Sequence, residues 1–266
     1  MHRFSTYIEG IGAIGPGMND WAEVSAILRG DNTYHPQKTI YPLVSSLPPT
    51  ERRRTGQVVK LALSIGLEAV AHADQVPDNL PAVFASSGGD NYNCHAICET
   101  LASDDRSISP TRFHNSVTNA PAGYWSIATG SMAPSTVICA FDASFGAGLL
   151  EALAQVMVDD RRCILIAYDT DYPEPLHSVR PIPDGFGVAL VLTPQRTARS
   201  LFEFNATLTQ DAADSCTDNL LEELRSTVPA ARALPMLQLM ARGVTGRVVL
   251  DYLDTARISI ELAQCK

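Results

Sequence analysis

Apolar positions along the 266-residue chain fall into two rhythms. Short apolar runs at Tyr7–Ile14, Leu80–Ser87, Ser135–Ala140, Cys163–Tyr168 and Phe186–Leu192 predict buried strands. Between them come helically spaced stretches. Trp21, Val24, Ile27 and Leu28 follow a cap at Asn19 or Asp20 and stop at Gly30. Glu51–Ala73 is apolar on most sides and predicts one long, largely buried helix. Further helices are expected at Asn91–Leu101, after Asn119 with Pro121 in the first turn, at Leu149–Val158, at Asp218–Val228 and at Leu234–Arg242. Arg199–Leu208 reads as a strand, and Arg247–Leu253 with Arg257–Leu262 as a terminal hairpin. Residues 31–50 carry Pro36, Pro42, Pro48 and Pro49 and predict a loop. The alternation predicts an α/β fold in layers about a mostly parallel sheet. No repeat or low-complexity linker divides the chain.

One stretch carries candidate chemistry. The strand Ser135–Ala140 enters a turn of small residues, Phe141–Gly148, and a helix and a second strand follow. Such a unit lifts one residue to the tip of a turn, beside the N–H donors of a helix start. Ser144 and Gly146 make half of a G-x-S-x-G elbow, so Ser144 is a candidate acyl-transfer or hydrolytic nucleophile. His177 would then be its base and Asp169 or Asp171 the orienting acid. Against this, Asp142 replaces the first glycine, and its charge would oppose an oxyanion. A helix-capping role for Asp142 or Ser144 accounts for both without chemistry.

Composition narrows the classes. With 45% hydrophobic and 18% charged residues the chain is globular, and a net charge of −9 argues against nucleic acid or an anionic membrane as partner. Arg52-Arg53-Arg54 reads as a solvated helix start, with a docking patch as the sharper alternative. No apolar run approaches the ~20 residues of a membrane span. Met1–Phe4 leads directly into strand-like sequence, so no leader is expected. The six scattered cysteines, two of them in apolar strands, predict buried reduced thiols and a cytoplasmic protein. Cys94, His95 and Cys98 lack a second ligand pair, so no metal is expected. Gly10, Gly12 and Gly15 match G-x-G-x-x-G. However, Asp31, at the right distance for the ribose acid, follows a helix end and not a strand. These glycines predict close backbone packing, and no cofactor is expected.

Several segments together resemble the β-ketoacyl synthase family. They are Gly10–Pro16 with the Trp21 helix, Ser109–Val117 with Asn119–Gly123, and Pro134–Val137 entering the turn. The resemblance covers about residues 6–195 and implies the thiolase-like fold. It also implies a ketosynthase-like first half, 1–195, with an abbreviated second half, 196–266, packed on it. Condensing members place a cysteine eight residues after the strand's proline; from Pro134 that position is Asp142. A carboxylate is a poor acyl acceptor from a thioester, because the product is a labile anhydride. The family's two later histidines are missing too: only His177 follows the turn.

The pattern is similar to chain-length-factor partner subunits, most of all the short form of aryl polyene systems. That resemblance implies a non-catalytic chain that pairs with an active ketosynthase and closes its acyl tunnel. It implies Thr136, Val137 and Ile138 at the dimer contact, and Phe113, Tyr124, Trp125 and Phe141 as tunnel-floor candidates. An acidic acyl carrier protein would then dock mainly on the ketosynthase, since this chain is itself acidic. A truncated second half is expected to leave a bare sheet edge and apolar faces. Decarboxylation of a malonyl group without condensation stands as a further alternative.

Overall fold

The computed structural model describes residues 6–265; the expectation for Met1–Phe4 lies outside the described residues. Eight strands form one sheet: β1 (Thr6–Ile14), β2 (Ala82–Ala85), β3 (Ser135–Ile138), β4 (Cys163–Asp169), β5 (Phe186–Thr193), β6 (Phe202–Thr209), β7 (Gly246–Leu253) and β8 (Ala256–Gln264). Their order is β3-β2-β4-β5-β1-β6-β8-β7. The helices are α1 (Trp21–Arg29), α2 (Pro49–Arg52), α3 (Gln57–His72), α4 (Asn91–Ala102), α5 (Pro110–Asn115), α6 (Ala120–Thr129), α7 (Ser144–Asp159), α8 (Leu176–Val179), α9 (Asn219–Thr227) and α10 (Leu234–Arg242).

The sheet lies between two helical layers. Residues of α3 and α6 share one core with Phe84, Ile164, Ile166 and Val191. Residues of α1, α7, α9 and α10 share the other with Leu165, Val188, Leu190 and Ile260. Strands β4 and β5 feed both cores from alternate residues, which is why they read as unbroken apolar runs. In β1 the register shifts between Ile8 and Gly10. That bulge lets Ile8 face the same core as Ile11 and Ala13, and the intervening Glu9 is neutralised by Arg162 at 2.8 Å. Gly10 and Gly12 face α3, where a Cβ would lie 2.1 Å from the Ala69 carbonyl oxygen and 2.2 Å from that of Ile65. The G-x-G pattern is a packing device, as its sequence context implies.

Four expectations need correction. First, the sheet is mixed: only the β2–β3 and β2–β4 pairings are parallel, and the other five are antiparallel. Helical connections join β2, β3 and β4 in parallel; α9 and α10 also link β6 to β7, but β8 lies between those two and pairs antiparallel with both, and a strap that reverses direction joins β4 to β5. Second, the helix expected over Glu51–Ala73 breaks into α2 and α3 at Arg53–Gly56. The Thr55 hydroxyl donates to the Arg52 carbonyl at 2.8 Å there, and Gly56 caps α3. Third, the expected helices did not include α5, which starts at Pro110. Fourth, the open face of β6–β8–β7 is polar. Glu203, Asn205, Arg247, Ser259 and Glu261 share the face opposite Phe204, Leu262 and Ile260. The apolar surface expected from an abbreviated second half is therefore not on this sheet face.

Cysteine burial is also mixed. All six thiols are free, but only Cys163 and Cys216 are buried, while Cys139 at the sheet edge is exposed with Cys94 and Cys98. By length and composition one helical stretch, Phe141–Asp159, could cross a membrane. It is the core helix α7, whose Phe145, Leu149, Ala152 and Val156 pack against the sheet.

Candidate functional site

In an open α/β sheet, ligand and catalytic groups gather where parallel strands end. Here β3, β2 and β4 end together. They deliver Cys139–Asp142, Ser86–Asp90 and Asp169–Asp171 to one rim. Phe141–Ala143 form a single 3-10 turn between β3 and α7, and Phe141 has a left-handed φ of 52°. Such a conformation is strained for an aromatic residue and persists only where its surroundings hold it.

At this turn Asp142 points at two arginines. Arg180, just beyond α8, donates to its Oδ1 at 2.8 Å, and Arg232 stands 3.5 Å from Oδ2. The Arg180 guanidinium also lies over the Phe141 ring, 3.8 Å from its centroid. Burial works against that guanidinium's charge, but Asp142 and Tyr172 hold it above its ordinary range. In this structure the carboxylate serves as a charge partner to both arginines. It does not cap α7 either, since no side-chain cap bond forms there.

Ser144 is 1% exposed. Its hydroxyl lies 2.7 Å from the Phe141 carbonyl and 3.1 Å from that of Ser86, and accepts the Ala140 N–H at 2.9 Å. Asp169, fully enclosed, accepts the Ser87 and Ala230 N–H groups at 2.8 and 2.9 Å, with the Ser86 hydroxyl at 3.3 Å. Burial pushes its carboxyl up to about 6 despite those donors and the nearby Arg180. Asp171 accepts from Lys38 Nζ at 2.8 Å and Tyr92 at 3.1 Å. The structure thus commits Ser144, Asp169 and Asp171 to partners other than His177, which lies on α8. Among the described residues no group of three metal-ligating side chains forms, Cys94, His95 and Cys98 included.

The other candidates divide by burial. Tyr124 and Trp125 are core residues: Trp125 packs on Gly66 and edge-on to Phe84, and Tyr124 bonds Asn115 at 3.1 Å. His114 sets its ring edge-to-face on Tyr124. Phe113 and Phe141 are exposed. Thr136, Val137 and Ile138 lie on β3, the last strand of the sheet, and are half-buried. The helix α4 has no buried residue, and Ile127, Met132, Val117 and Leu101 are exposed. Sequence reasoning missed Arg180 and Arg232. The available signal was Asp142 itself, since a carboxylate at a helix start among apolar residues calls for a cation.

The β-ketoacyl synthase N-terminal domain model matches residues 21–241, so the chain belongs to that family. Its fold is the thiolase-like one of ketosynthase and chain-length-factor assemblies. One similar structure is the ketosynthase ApeO in complex with its chain length factor ApeC from Xenorhabdus doucetiae. The TM-score is 0.73 and identity 24%, over 97% of this chain and 99% of that one. The ishigamide ketosynthase/chain length factor gives a TM-score of 0.74 at 15% identity, covering 98% and 100%. AntDE:AntF, a type II polyketide ketosynthase with its acyl carrier protein, gives 0.77 at 12%, covering 99% and 100%. No curated protein sequence matches the chain.

Proposed function

We propose that this chain is a chain-length-factor-like subunit that pairs with an active β-ketoacyl synthase and shapes its acyl tunnel. The setting is polyene, polyketide or fatty-acid-like elongation in the cytoplasm, with aryl polyene synthesis the favoured case. The observation that carries this reading is the elbow: its residue is Asp142, engaged by Arg180 and Arg232, where acyl transfer requires a free nucleophile. The elbow's setting supports the pairing half. The chain has an unpaired strand edge at β3, a helix α4 with no buried residue, and exposed Phe113, Ile127, Met132 and Phe141. Bare edges and clustered apolar side chains mark interaction surfaces.

In this reading Thr136, Val137 and Ile138 meet the partner across the twofold. Phe113 and Phe141 face the tunnel, while Tyr124 and Trp125 hold α5 and α6 from beneath. The carrier protein, being acidic, docks mainly on the ketosynthase. Residues 196–266 serve as the abbreviated second half. Co-expression with an active ketosynthase of the same system tests the pairing. A one-to-one complex is expected, and Val137→Asp should abolish it while leaving the lone chain folded. A chain that ignores the ketosynthase, or that carries a covalent acyl group during turnover, would overturn the reading.

A further inference from the structure

Asp142 has a part beyond the loss of a nucleophile. The strap joining β4 to β5, residues 170–185, crosses the rim and brings Arg180 onto the elbow. There Arg180 makes two different contacts. Its edge bonds the Asp142 carboxylate at 2.8 Å, and its flat face covers the Phe141 ring at 3.8 Å. The side chain of Arg180 is 19% exposed, whereas Phe141 as a residue is 63% exposed. One face of the ring is therefore covered from within the chain, and Phe141 still projects from the surface. The left-handed backbone at Phe141 aims the ring outward at a conformational cost, which marks its direction as imposed. Arg232 bridges the same carboxylate to the 229–233 turn, so three separate segments converge on one side chain.

We propose that Asp142 and Arg180 are positioning residues that set the Phe141 ring as a fixed wall for the growing acyl chain. The substrate-length role of Phe141 rests on the partner function proposed above. The clamp itself does not: it is a property of the lone chain. Arginine suits this work because its planar guanidinium can bond a carboxylate in its plane and stack an aromatic ring on its face. The compact ammonium of lysine has no plane with which to do both at once.

The test uses three variants. In the lone chain, Asp142→Asn should speed hydrogen exchange over residues 172–183 about fivefold to tenfold, the scale of one partly exposed charge-assisted hydrogen bond. Arg180→Lys should leave that exchange near wild type. In the ketosynthase complex, supplied with malonyl-loaded carrier protein, Arg180→Lys should broaden the product-length distribution as Phe141→Ala does, at unchanged stoichiometry. Wild-type exchange in Asp142→Asn would overturn the clamp. A product profile that moves with Phe141→Ala and not with Arg180→Lys would overturn the positioning of the ring. If the wild-type chain captured no ketosynthase, the partner function and the acyl wall would both fall, and the exchange data would still decide the clamp.

Discussion

Replacing Asp169 by asparagine should change the stability of this protein by an amount that depends on pH. Asp169 joins the end of β2 to the 229–233 turn through the N–H groups of Ser87 and Ala230. It is 3% exposed, and burial raises its carboxyl from 3.8 to about 6. The folded state therefore holds a proton that the unfolded chain has released between these values. Stability from this group is complete below about pH 4 and is lost as pH rises through 6. A rise of that size corresponds to about 3 kcal/mol. An asparagine cannot ionise, so it escapes that loss. Its oxygen can still accept from one N–H, but its NH2 must then face the other N–H, and one buried donor left unpaired costs about 1–3 kcal/mol. About half of the wild-type loss falls below pH 5, so the variant should gain about 1.4 kcal/mol on wild type between pH 5 and pH 7.5. Urea unfolding followed by tryptophan fluorescence at the two pH values measures the difference. Glu68, half-buried, is pushed up to about 7 by desolvation, so it adds a loss of the same sign to both proteins and cancels in the comparison. A stability gap between variant and wild type that stays constant from pH 5 to 7.5 would refute the reasoning.

Two further outcomes are expected. A fluorophosphonate should leave Ser144 unlabelled, and Ser144→Ala should cost about 1–3 kcal/mol by orphaning the Ala140 N–H and the hydroxyl's buried backbone contacts; a labelled serine would restore the hydrolase alternative. Gly12→Ala should lower the melting temperature by several degrees or prevent folding, because the added Cβ meets the Ile65 carbonyl 2.2 Å away on a backbone that cannot yield cheaply. An unchanged melting temperature would mean α3 can shift where the packing leaves it no room.

Much of the framework was legible because periodicity reports burial. Strands β4 and β5 are covered on both faces, and their sequences say so. Sheet direction was not legible in the same way. It depends on whether a connection crosses the sheet or folds back, and residues 170–185 carry no pattern that distinguishes the two. Counting from Pro134 places Asp142 on the elbow, yet its partners Arg180 and Arg232 come 38 and 90 residues later, on a strap and a turn whose path only the folded chain fixes. The aromatics were readable as large apolar side chains but not sortable. Trp125 and Phe141 look alike in sequence, and one is core while the other is exposed. Ser144 admitted two readings because a buried hydroxyl serving backbone groups and a nucleophile at a turn share the same neighbours in the chain.

The two ends of the sheet are finished differently. At β7, Asp214 closes a pair of hydrogen bonds onto Val249, donating its own N–H to the carbonyl at 2.8 Å and accepting the N–H at 2.7 Å. Nothing comparable lies along β3 among the described residues. A sheet open at both ends could add neighbours without limit and grow into a ribbon. With one end stoppered, joining two open ends leaves only stoppered ones outward, so growth halts at a pair.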